Sequence, residues 1–194
     1  MDARSFVRFA GLCAILAGVV GFLYSIAFIV LQNTLLSGLF LMLGSLLTTA
    51  ALTGLYGRLR ETDFLFALWA LLLGIVSAFG SAIHGGYDLA IAIHPPASAP
   101  IELPNQVDPR GLLTFGVVSI AILIFSWLIG RTSGFPKGLN YLGYLLAILL
   151  VILYLGRLIL LSPANPVVLV PALLIGFILN PAWYIWLGYT LWRI

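Results

Sequence analysis

Between Phe9 and Tyr56 the chain carries no Asp, Glu, Lys, Arg or His. A spanning helix needs about 20 apolar residues, and a buried core helix is far shorter than this run. The stretch therefore holds two spans, and Gln32, Asn33 and Thr34 predict a tight hairpin between them. The rest of the chain continues in the same way. Only 8% of the 194 residues are charged, against about 25% in soluble domains. A soluble fold would leave most of its surface without polar cover, so an all-α polytopic membrane helix bundle is expected.

Local chemistry divides the chain into six transmembrane helices, near 9–31, 35–57, 64–90, 111–130, 138–161 and 166–192. Thr62 and Asp63 precede the third, Asp108-Pro109 the fourth and Asn165-Pro166 the sixth. An Asp or Asn side chain caps free N–H groups at a helix start, and proline fits the first turn. No polar stretch is long enough to fold separately, so residues 1–194 are expected to form a single six-span transmembrane domain. The start, MDARSFVRFA, has the positive character of a signal sequence. The long apolar segment behind it lacks an A-x-A-like cleavage site, so an uncleaved first span is expected.

Basic residues orient this arrangement. Arg4, Arg8, Arg58, Arg60, Arg131, Lys137 and Arg193 fall on one side, while Arg110 lies in a loop on the other and Arg157 near a span end. The asymmetry follows the positive-inside rule and predicts both termini in the cytoplasm. The longest outer segment, 94–111, holds five prolines together with Glu102, Asp108 and Arg110. Proline stiffens such a segment toward extended conformations. Both an ordered cap over the outer face and a simple connection fit it.

Several function classes lack their residues. No basic patch or stripe marks a nucleic-acid partner. A single cysteine, Cys13, excludes an internal disulfide, a CxxC motif and a cysteine-based zinc site. His84, Asp88 and His94 could supply three zinc ligands, but His94 stands at the loop before two prolines. Catalytic zinc needs all three and a water in tetrahedral geometry, so no metal is expected. Bis-histidine haem ligation lacks a second buried histidine. A rhomboid-type protease lacks its GxSG motif and last-span histidine, and no glycine-rich phosphate loop or nucleophile elbow appears. No cofactor is expected, and an enzyme is the least supported class.

What remains is a polar stripe on span three. Ser77, Ser81, His84 and Asp88 are spaced along one helix face, with Tyr87 beside it. Lipid cannot solvate these groups, so the face must look toward protein or water. At a rise of 1.5 Å per residue, His84 lies about 30 Å from Phe64, and Arg157 about 28 Å from Gly138. The charged groups thus share the outer layer, and an Asp88–Arg157 ion pair is expected. Two readings follow. In one the pair is an interhelical clasp with His84 as its neighbour. In the other the layer is an outer-face vestibule for a small polar or anionic ligand, with Arg157 as the anion contact. Tyr87 and Tyr154 would then be walls with polar tips.

Other features bear on packing. Gly11, Gly18, Gly21, Gly38 and Gly44 would let helices approach closely. Trp183, Tyr184, Trp186, Tyr189 and Trp192 suit an inner interfacial belt and helix packing. Pro181 removes the backbone bond to the carbonyl of Phe177. Either a simple kink follows, or Asn180 caps a restarted half-helix of the kind that builds ion sites in transporters. LYGRL (55–59) and LYLGRL (153–158) end spans two and five, which run in opposite directions. Inverted repeats of this kind mark transporters, although a Leu- and Gly-rich chain produces such matches by chance.

The order of GLYGRLR, IHGGYDLA, VDPRGLLTFG, YLGYLL and NPAWYIWLG resembles that of a group of small six-span bacterial integral membrane proteins known as a domain of unknown function. The resemblance covers most of the chain and implies a bacterial cytoplasmic membrane location. It carries no activity and no functional residues. The residues themselves favour binding or transport of a small polar or anionic ligand in a multi-pass cell-membrane protein. The alternative is an accessory or structural subunit of a larger membrane complex. The expected partners are the lipid bilayer, the ligand, and a membrane-protein partner or a second copy.

Overall fold

The structure is a computed structural model that describes residues 3–95, 112–160 and 162–193. Among these residues it is all helical, with six helices long and apolar enough to cross a membrane. They are α1 (Ser5–Val30), α2 (Thr34–Leu59), α3 (Phe64–Ile93), α4 (Thr114–Arg131), α5 (Lys137–Leu160) and α6 (Pro166–Arg193). The chain thus fits a multi-pass membrane protein. The proline-rich segment 94–111 and the Asp108-Pro109 cap lie almost wholly outside the described residues.

Helix starts follow the expected chemistry. Leu36 N–H donates to Asn33 Oδ1 at 3.0 Å, Phe66 N–H to Asp63 Oδ1 at 3.3 Å, and Val167 N–H to Asn165 Oδ1 at 3.0 Å. Each cap satisfies a first-turn donor that has no partner within its helix. The hairpin between α1 and α2 turns at Gln32, whose φ of 49° lies in the left-handed region. Asn33 N–H then reaches back to the carbonyl of Ala27.

Each helix packs against its neighbours in sequence, and α6 returns to α1, so the bundle closes into a ring. Trp183, Phe125, Leu52, Leu128, Leu146 and Leu187 fill its interior with almost no exposure. Two of the ring's contacts are made at paired glycines. A Cβ on Gly38 would lie 2.8 Å from the Gly85 carbonyl oxygen, and one on Gly11 would lie 2.8 Å from that of Gly188. Close backbone approach at small residues is the usual basis of helix association in lipid. The aromatic group of α6 splits between two roles. Trp183 and Tyr184 are buried, whereas Trp186, Tyr189 and Trp192 face outward, and the Arg193 guanidinium lies 4.1 Å from the Tyr189 ring centroid.

The helix around Pro181 neither breaks nor restarts. One π-helical turn, Ile175–Leu179, precedes it, and Asn180 N–H donates to the carbonyl of Ile175. Asn180 therefore sits inside a continuous α6 and does not cap a half-helix. The wider turn accommodates the bond that proline removes. Its side-chain nitrogen instead approaches Gly21 of α1, where a Cβ would lie 2.9 Å away.

Candidate functional site

α3 presents His84 and Asp88 one turn apart, and their side chains meet at 3.3 Å between Nε2 and Oδ2. Spacing of i, i+4 puts the two Cβ atoms on one helix face. Both side chains keep partial exposure, 21% for His84 and 27% for Asp88, so the pair stands at the edge of the packed interior. Ser77, deeper on the same face, is buried. Tyr87 is 53% exposed and stands at the outside of the bundle.

α5 supplies the opposing cation. Arg157 is exposed, and its guanidinium carbon lies 5.6 Å from the Phe115 ring centroid. Tyr154, one turn earlier, packs on the same segment: a Cβ on Gly116 would lie 3.3 Å from its ring. Phe115 and Gly116 belong to a π-helical turn, Leu112–Val117, at the start of α4. That turn also packs against α3. It therefore links the helix of Arg157 to the helix of Asp88.

The expected Asp88–Arg157 ion pair is not formed at contact distance among the described residues; the carboxylate has His84 as its ion partner. A neighbour on the same helix face is reached without crossing the bundle, whereas Arg157 finds an aromatic face on α4. Tyr24 of α1 feels both charges. Its ring stacks on Phe28 at 5.6 Å between centroids. At 1.5 Å per residue, Tyr24, Asp88 and Arg157 lie about 9, 8 and 5 Å from the ends of their helices, within one layer.

Among the described residues three helices contribute π-helical turns: Ile26–Val30 in α1, Leu112–Val117 at the start of α4 and Ile175–Leu179 in α6. The first adjoins Tyr24 and the second carries Phe115, while the third packs against both α1 and α5. Such turns are rare and concentrate at functional sites. Among the described residues the layer offers the exposed Arg157 guanidinium, the phenols of Tyr24 and Tyr154 and the His84–Asp88 pair. A guanidinium donates to anionic oxygens, and a phenol both donates and accepts. Among the described residues no three His, Cys, Asp or Glu side chains come together as a metal site.

Comparison with family models, curated proteins and solved structures finds no match for this chain.

Proposed function

We propose that this protein binds a small polar or anionic solute at the outer end of its helix bundle and presents it for passage across, or sensing at, a bacterial cytoplasmic membrane. The reading places both termini in the cytoplasm, as the distribution of basic residues requires, and takes all six helices as one domain. The observation that carries it is the depth that Tyr24, the His84–Asp88 pair and exposed Arg157 share at one end of the bundle, beside two π-helical turns. A packing clasp needs one salt bridge. It does not need a cation left over an aromatic ring and facing the surface.

In this reading Arg157 is the anion contact, with donors matched to carboxylate or phosphate oxygens. Tyr24 adds a hydroxyl to the same solute, and Tyr154 and Tyr87 wall the approach. His84 holds the Asp88 carboxylate, which leaves Arg157 to the solute.

A thermal-shift screen of small carboxylates, phosphates and polar metabolites on purified protein tests this. A ligand specific for the folded state adds about 2.7 kcal/mol at a hundredfold excess over its Kd. At least one anion is expected to stabilise the protein. Arg157→Gln removes a charged hydrogen bond of about 1.5–3 kcal/mol and should weaken the response roughly 10- to 100-fold. His84→Gln should weaken the response less than Arg157→Gln does. Stabilisation that survives Arg157→Gln unchanged contradicts the assignment. An accessory subunit would respond to no solute and would purify with a protein partner.

A further inference from the structure

A second surface lies away from the polar layer. Between α1 and α2 runs an open apolar groove of about 370 Å³, lined by Phe9, Cys13, Leu16 and Val20 of α1 and by Leu46 and Ala50 of α2, among others. Its lining combines two small side chains, buried Cys13 and half-buried Ala50, with large ones. Phe9, Leu16 and Leu46 stand 42–54% exposed along it. A groove of this size is within the range of pockets that hold small organic ligands, about 300–1,000 Å³.

We infer that this groove seats one acyl chain of a phospholipid from the leaflet on the side of the chain termini, with the lipid phosphate at Arg8. Position argues for it. From Phe9 to Val20 the groove rises about 17 Å, close to the ~15 Å depth of one leaflet in a ~30 Å hydrocarbon core. Charge argues for the same occupant. Arg8 is exposed and immediately precedes Phe9 at the mouth, and the lining itself holds no charge. A phospholipid matches both ends: a phosphate for the cation and a hydrocarbon chain for the groove. An acyl chain also adapts to a laterally open channel, which a rigid solute does not.

Cys13, the chain's single cysteine, lines the groove and serves as its reporter. Protein stripped of lipid by prolonged detergent washing is titrated with phosphatidylglycerol and, separately, with glycerol 3-phosphate. The rate of Cys13 alkylation by N-phenylmaleimide and the phospholipids retained in native mass spectrometry are both read. Phosphatidylglycerol is expected to slow alkylation several-fold and to add one retained lipid, while glycerol 3-phosphate does neither. Ala50→Leu fills the groove and should remove that retained lipid, and Arg8→Gln should weaken its retention. An alkylation rate indifferent to phosphatidylglycerol overturns the inference, and so does retention unchanged in a folded Ala50→Leu. Slowing that depends on protein concentration and not on lipid would mean that a second copy fills the groove. None of these outcomes depends on whether a solute binds near Arg157.

Discussion

Gly188→Leu is expected to leave little folded protein in the membrane. A Cβ at Gly188 would run into the carbonyl oxygen of Gly11 and lie 2.7 Å from the backbone nitrogen of Ile15. Both obstacles are backbone, so no side-chain rotation relieves them, and α1 and α6 must separate. That contact closes the ring of helices. Overpacking commonly costs about 1–3 kcal/mol when neighbours can shift; here the cost should reach or exceed the top of that range. Gly57→Ala provides the contrast, because a Cβ there meets nothing within 4 Å. Alanine is favoured over glycine in a helix by about 1 kcal/mol, so this variant should equal or exceed the parent in stability. The monodisperse fraction in size-exclusion chromatography and the Tm read both. A Gly188→Leu protein as abundant and stable as the parent would mean that α1 and α6 do not pack in this way.

The helix boundaries were legible because they rest on local chemistry. Asn33, Asp63 and Asn165 each cap the helix that follows, and the apolar length between them is set by the bilayer. Gly11 and Gly38 were legible as points of close approach. Their partners Gly188 and Gly85 were not, because which helices meet is a property of the whole ring. The same limit separated the polar layer from its pairing. Helix rise placed Asp88 and Arg157 at one depth, but depth says nothing about rotation, and the carboxylate turned out to face His84. That pair had a local signal in its i, i+4 spacing.

Tyr24 carries little signal in the sequence, because it sits in the long uncharged stretch among apolar residues. A tyrosine about 9 Å from the end of a spanning helix, within a run lacking any charge, was the available clue. The π-helical turns left less trace. Pro181 announced a disturbance in α6 but not its form, since the same residue also permits a plain kink. At Ile26–Val30 and Leu112–Val117 no proline lies within the turn, and tertiary packing decides the local helix type.

Cysteine in place of Tyr154, in a Cys13→Ala background, tests directly whether the Tyr154–Arg157 layer opens to the outer side and holds a solute. The Tyr154 ring borders Gly116 on the segment that carries Phe115, one turn from the Arg157 guanidinium, so a reagent that reaches position 154 has entered the layer. Truncating the ring also opens the approach that this residue walls. Intact cells expressing the variant are treated with a membrane-impermeant thiol reagent, with and without an anion that raises the Tm of the purified protein. The account predicts labelling in intact cells and clear slowing by that anion, and restored labelling when Arg157→Gln is added in its presence. Labelling only after permeabilisation would contradict the orientation. Labelling at the same rate with and without the anion would contradict the site.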